Sequence, residues 1–193
     1  GTSNRQSQAP TSLADAILST DNHGRKKPLH LEMPPPGLMG QIADFIYKQA
    51  PRQVPEIALI AAIGMMAGIC GRSYNVSGTG LNQYLMFLGN TGVGKEGMAS
   101  GMDKLIRELS MQIPRIDEFF GAGGIASGQA LRKQLSETNC FVSVVGEVDS
   151  MIKQLSAGNA NGAQLELKRV MLDLYNKSGA GRTLRGTIYS DAE

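Results

Sequence analysis

Residues 89–95 carry a pattern that could bind phosphate. They read Gly-Asn-Thr-Gly-Val-Gly-Lys and follow an apolar run at residues 84–88. Glycines let the backbone turn sharply and aim its N–H groups at an anion, and the positive end of a following helix also favours phosphate. The pattern G-x-x-x-x-G-K therefore predicts a nucleotide phosphate site between a strand and a helix. We call residues 89–96 the phosphate loop: Gly89, Asn90, Thr91, Gly92, Val93, Gly94, Lys95 and Glu96.

Two side chains of the phosphate loop could act on ATP directly. Lys95 is predicted to neutralise β- and γ-phosphate oxygens, and the alternative is an ordinary exposed lysine at a helix start. A hydroxyl residue usually follows this lysine and binds Mg²⁺, but here the next residue is Glu96. A carboxylate is a good oxygen ligand for Mg²⁺. Glu96 is thus a candidate metal ligand, and the alternative is an outward-facing carboxylate that favours the first turn of a helix.

A second acidic segment could complete the site. The β-branched run at residues 140–145 predicts a buried strand, and it is followed by Gly146-Glu147-Val148-Asp149. In nucleotide hydrolases an acidic strand end beside the phosphate loop holds Mg²⁺ or orients water. We predict Glu147 as the general base and Asp149 as a second Mg²⁺ ligand, although Gly146 stands where an aspartate is usual. The alternative for Glu147 is a carboxylate that stabilises a helix N-terminus.

The elements that must position these groups alternate along the chain. Helical spacing begins at Leu38, and Pro55 predicts the start of a second, almost wholly apolar helix that Gly71 ends. Strands are predicted at residues 72–76, 82–88, 140–145 and 183–189, with helices after the phosphate loop and at residues 127–135, 148–155 and 167–174. Alternating strands and helices predict an α/β fold with a mostly parallel sheet covered on both faces.

The length and composition set limits on the whole chain. Its 193 residues can form one domain and a tail, and a net charge of +2 does not indicate nucleic-acid binding by itself. Cys70 and Cys140 both lie in apolar stretches, which is typical of reduced thiols in a cytoplasmic protein. The longest apolar run, residues 57–70, is too short to span a bilayer, so we expect no membrane association.

Three segments together resemble one group of P-loop proteins. They are residues 87–96, the strand end at residues 144–147, and residues 172–175 with the glycine-rich residues 178–181 that follow. The group consists of ATPases from the replication modules of phages and mobile elements, often encoded beside or fused to primases. The resemblance implies a P-loop NTPase with a RecA-like three-layer α/β/α core. It also implies DNA, replication proteins such as a primase or helicase, and further copies of the chain as partners.

These observations predict a domain organisation and a function. Residues 1–33 are predicted to be a flexible tail or linker, residues 34–72 a helical segment that packs on the core, and residues 73–193 the P-loop core. We expect that core to be incomplete at its C-terminus, because the chain ends just after a predicted strand. The predicted function is an ATP- and Mg²⁺-dependent ATPase acting on nucleic acid. The alternatives are a nucleotide-binding loader or scaffold that hydrolyses little, and a small-molecule phosphotransferase.

Overall fold

The computed structural model describes six parts of the chain, all within the unit Pro34–Glu193. The predicted tail at residues 1–33 lies outside the described residues, as do Asn90, Thr91, Glu147 and most of the predicted last strand. The described parts are residues 35–89, 92–121, 123–146, 148–156, 162–179 and 181–184.

Six α-helices and one short 3-10 helix make up 58% of the described residues. They are α1 Leu38–Gln49, α2 Pro55–Cys70, α3 Glu96–Ser110, the 3-10 helix Ile116–Phe119, α4 Gly128–Glu137, α5 Asp149–Ser156 and α6 Gly162–Lys177. The helices predicted from apolar spacing are confirmed. The start of α2 at Pro55 and its end before Gly71 are also as predicted, since proline suits the first turn of a helix.

The predicted α/β fold is wrong. The described residues contain no strand and no sheet, which is plainly unlike a RecA-like three-layer core. Only isolated bridges occur in these parts, antiparallel between Val76 and Thr79 and parallel between Phe120 and Val142. Alternating apolar residues indicate that side chains of a segment are buried. A sheet also requires the backbone of that segment to pair with neighbouring strands.

One apolar core joins the first three helices. Its fully buried members come from all three, namely Ile46, Ala58, Ala61, Met65 and Met102. α2 is apolar almost all round, and its small residues let α1 and α3 approach it closely. The helix that follows the phosphate loop therefore packs against other helices rather than against a sheet.

A second core joins α4 and α6. Leu131, Leu167 and Val170 are buried there, and α5 packs against α6 at its edge. α4 begins with a side-chain cap, because the Ser127 hydroxyl accepts a hydrogen bond of 3.1 Å from the Ala130 amide.

Residues 140–145 contact both cores. Val142 and Val144 pack on the first core, whereas Phe141 packs on the second. This alternation is the period of two that led to the strand prediction. Val142 pairs its backbone with a neighbouring segment: its amide donates to the Phe119 carbonyl over 2.7 Å, and its carbonyl accepts from the Gly121 amide over 2.8 Å. The segment thus has the side-chain environment of a buried strand with little of its backbone pairing.

Residues 82–88, which precede the phosphate loop, are held against α6 by a tyrosine. The Tyr84 hydroxyl donates a 2.8 Å hydrogen bond to the carbonyl of Met171, and its ring stacks on Tyr175 with centroids 6.4 Å apart. Partial burial raises the pKa of Tyr84 above its usual value, against a smaller lowering by its hydrogen bond with Asn82. Leu85, Met86 and Leu88 remain exposed, so the strand predicted here is not the buried central strand of a sheet.

Candidate phosphate-binding site

The phosphate loop makes the sharp turn that its glycines predict. Gly92 has a φ of 76° and Gly94 a φ of 96°. Both values lie in the left-handed region, where residues with a Cβ atom are disfavoured and glycine is not. Gly92 is exposed, with open space where a side chain would project, whereas Gly94 is buried. The described part of the loop is therefore bent by two glycines, one on each side of Val93.

α3 begins directly after this bend. Lys95 is already helical, with φ −55° and ψ −34°, and Glu96 is the first residue of the helix. The Gly97 amide donates to the Gly94 carbonyl over 2.9 Å, and the Met98 amide donates to the Lys95 carbonyl over 3.2 Å. The Lys95 and Glu96 side chains are both exposed. The turn thus leads a lysine and the positive end of a helix dipole to the protein surface.

Close packing of α3 on α1 positions the loop. A Cβ atom on Gly101 would lie 2.7 Å from Cγ2 of Ile46, and one on Gly97 would lie 3.0 Å from Cβ of Ala50. Lys104 Nζ also donates a 3.2 Å hydrogen bond to the carbonyl of Gln49, the last residue of α1. The first turns of α3 are therefore held against the end of α1 and the connection that follows it.

Arg52 comes from that connection and contacts the loop. Its Nη1 donates a hydrogen bond to the carbonyl oxygen of Gly92. Its aliphatic carbons lie 3.0–3.3 Å from the position that a Cβ atom on Gly94 would occupy. Sequence reasoning did not identify Arg52, because it lies 40 residues before Gly92 in a turn without a motif.

The side chain of Val93 lies close to the start of the phosphate loop. A Cβ atom on Gly89 would lie 2.8 Å from Cγ1 of Val93 and 2.9 Å from Cε1 of Phe87. Val93 therefore folds back towards Gly89 and Phe87. Gly92 and Lys95, further along the loop, are exposed to solvent.

The two described candidates for Mg²⁺ ligands lie at the starts of different helices. Glu96 is exposed in the first turn of α3, and Asp149 is exposed in the first turn of α5. The Asp149 carboxylate lies 3.5 Å from Nζ of Lys153, one turn along the same helix. In the parts of the chain that the structure describes, no three histidine, cysteine, aspartate or glutamate side chains come together to hold a metal ion. The general base predicted at Glu147 lies outside these parts.

A cavity of about 330 Å³ lies elsewhere in the fold. Three of its lining residues, Ile125, Leu155 and Leu167, belong to the second core. Ser150, next to Asp149, also lines it, but none of its lining residues belongs to the phosphate loop. The predicted phosphate site is therefore an exposed surface loop and not part of this cavity.

The chain matches no protein-family model, no curated protein and no solved structure. The resemblance to phage and mobile-element ATPases therefore stays a prediction made from sequence motifs. Among the described helices, none has the length and apolar character needed to cross a bilayer. The expected cytoplasmic location also stays a prediction.

Proposed function

We propose that the phosphate loop binds the polyphosphate of ATP, with Lys95 as its main cation. The observation that carries this proposal is the double left-handed turn at Gly92 and Gly94, directly followed by an exposed lysine and a helix N-terminus. In phosphate sites of this kind, backbone amides and the helix dipole contribute to anion binding, and a lysine adds a full charge. The proposal needs these local parts only and does not require a RecA-like sheet.

The chemistry proposed at this site is hydrolysis of ATP with Mg²⁺. With ATP and Mg²⁺ bound, Lys95 would neutralise the β/γ oxygens, Glu96 and Asp149 would supply carboxylates to the metal, and Glu147 would orient the attacking water. We extend the proposal to DNA as the nucleic acid on which the ATPase acts. A primase or helicase and further copies of this chain are its proposed partners. That extension is supported by the motif resemblance alone.

A nucleotide-binding module that hydrolyses little is the second candidate. Two residues favour it: Glu96 replaces the hydroxyl that usually binds Mg²⁺, and Gly146 stands in the usual place of an aspartate. Such a module would switch between bound and free states as a loader or scaffold. Phosphate release measured over many turnovers distinguishes it from an ATPase, because only the enzyme releases more phosphate than there are sites.

Replacing Lys95 with alanine tests the nucleotide site. A charge-assisted hydrogen bond contributes about 1.5–3 kcal/mol, so we expect Lys95→Ala to weaken binding of a non-hydrolysable ATP analogue about 10- to 100-fold. Calorimetry with Mg²⁺ measures this. Lys133→Ala is the control, because it removes the same charge from an exposed position on α4 and should bind like wild type. Equal affinity of Lys95→Ala and wild type, or no binding by wild type, would show that the assignment is wrong.

Replacing Glu96 with threonine tests the metal role. Without Mg²⁺ the carboxylate should repel the phosphates, and with Mg²⁺ it should bind the ion between them. We therefore expect Glu96→Thr to strengthen metal-free binding and to reduce the gain in affinity from Mg²⁺ by about 5- to 10-fold, since a surface charge pair contributes on the order of 1 kcal/mol. Glu108→Thr, exposed further along the same helix, is the control. An unchanged Mg²⁺ dependence in Glu96→Thr would exclude a metal-binding role.

A further inference from the structure

Arg52 and the phosphate loop make two separate contacts. The guanidinium donates to the Gly92 carbonyl, and the aliphatic part of the side chain covers Gly94 on the side where a Cβ atom would project. The two glycines that bend the loop are therefore both contacted by one side chain. That side chain comes from the α1–α2 connection, which follows the helix that α3 packs against.

The first contact determines which way a peptide group points. In a trans peptide the C=O and N–H bonds point in opposite directions. Because the Gly92 carbonyl is directed at Arg52, the N–H of the next residue, Val93, is directed away from Arg52. Release of this carbonyl would let the peptide between Gly92 and Val93 rotate, since glycine has few conformational restrictions.

The second contact limits where the loop can move. Gly94 is buried, and Cβ, Cγ and Cδ of Arg52 lie within 3.3 Å of its missing Cβ position. The arginine stem thus fills the space on one face of the loop, and its charged end remains at the surface. Arg52 therefore orients the Val93 amide and places a positive charge beside the phosphate loop, in addition to the charge of Lys95.

We propose that Arg52 is a positioning residue for nucleotide polyphosphate. It acts through the Gly92 carbonyl and the face of Gly94, and it holds the phosphate loop in its bent form before the ligand arrives. This inference rests on the proposed function of the same loop. Preorganisation of this kind raises affinity because the ligand does not have to order the loop.

Arg52→Met separates the hydrogen bond and charge from the packing. Methionine keeps an unbranched apolar stem over Gly94 but has no donor for the Gly92 carbonyl. We expect it to weaken binding of the ATP analogue and of inorganic tripolyphosphate by about 5- to 10-fold each, a loss smaller than that of a fully buried charged hydrogen bond because Arg52 is exposed. Arg52→Lys keeps a donor and a charge, and it should restore affinity to within about threefold of wild type.

Arg72→Met is the matched control. Arg72 is also exposed and lies just beyond the opposite end of α2, a helix of 16 residues and thus about 24 Å long. This variant loses the same charge far from the loop and should bind both ligands like wild type. Equal weakening by Arg72→Met would mean that overall charge, not loop positioning, is responsible, and it would overturn the inference.

An amide spectrum of the unliganded protein provides a readout that does not depend on nucleotide. In ¹⁵N-labelled protein, Arg52→Met should shift the amide resonances of Val93 and Gly94, and Arg52→Lys should largely restore them. If wild type binds no ATP analogue but these shifts occur, the proposed function fails while the positioning contact stands. If wild type binds and Arg52→Met binds equally well with unshifted amides, the inference about Arg52 is wrong and the nucleotide site remains.

Discussion

Gly68→Ala should lower the free energy of unfolding by about 2 kcal/mol, although alanine is the better helix former. A Cβ atom at this position of α2 would overlap with Cγ2 of Val142 and lie 2.8 Å from the carbonyl oxygen of Phe141. The carbonyl belongs to a backbone that is held between two apolar cores and cannot withdraw easily. For a chain of this size we expect a fall in Tm of about 4–8 °C, measured by thermal or urea unfolding.

Gly64→Ala in the same helix is the control for this prediction. Its Cβ atom would lie 3.5 Å from Cδ1 of Leu85, an ordinary van der Waals contact. With no overlap, the higher helix propensity of alanine should raise the free energy of unfolding by about 0.5–1 kcal/mol. Opposite signs at the two positions are the expected result. Equal effects would mean that α2 does not approach residues 141–142 as closely as the structure has it.

Gly94→Ala should weaken binding of the ATP analogue about 100-fold, the largest effect on the site. At a φ of 96° a Cβ atom is disfavoured, and here it would also meet the Arg52 stem at 3.0 Å. Without ligand, the loop of the variant should relax into another conformation that relieves this strain. Binding requires the bent conformation, so the cost of returning to it would appear as lost affinity. Left-handed strain of about 1–2 kcal/mol and crowding of about 1–3 kcal/mol together account for this size.

Gly92→Ala isolates the contribution of backbone strain. Gly92 has a φ of 76°, but nothing lies within 4 Å of its missing Cβ position. We therefore expect only about a tenfold loss of affinity, the strain contribution alone. Calorimetry compares the two variants, and unfolding curves should show that neither alters the fold. If Gly92→Ala weakens binding as much as Gly94→Ala does, the contact with Arg52 has no role in shaping the loop.

The features that the sequence predicted correctly depend on interactions between residues close together in the chain. Helices were predictable because their hydrogen bonds are local and their apolar spacing reveals the buried face. Pro55 and Gly71 mark both ends of α2 in the sequence, and the helix has those ends. The bend at Gly92 and Gly94 was predictable for the same reason, since a left-handed backbone depends mainly on the residue that adopts it.

The sheet was not predictable, because strand pairing depends on neighbours that are distant in sequence. Residues 140–145 alternate as a buried strand would, and their side chains do alternate between two cores. Helices supply most of that burial, so the alternation carried no information about a sheet. Residues 82–88 include the strand-favouring Tyr84 and Phe87, yet the Tyr84 hydroxyl donates a hydrogen bond to a helix carbonyl. Propensity is outweighed by tertiary context in both segments.

The amino-acid sequence by itself determined the helices, the glycine bend and the lysine at the start of α3, because each depends on residues within a few positions of one another. The tertiary structure alone decided that α3 packs on α1 through Gly97 and Gly101, and that Arg52 covers the phosphate loop. Those contacts join residues about 40 or more positions apart, and close approach between distant segments follows from the packing of the whole core. Local chemistry thus predicts the candidate site, and long-range packing determines which further residue shapes it.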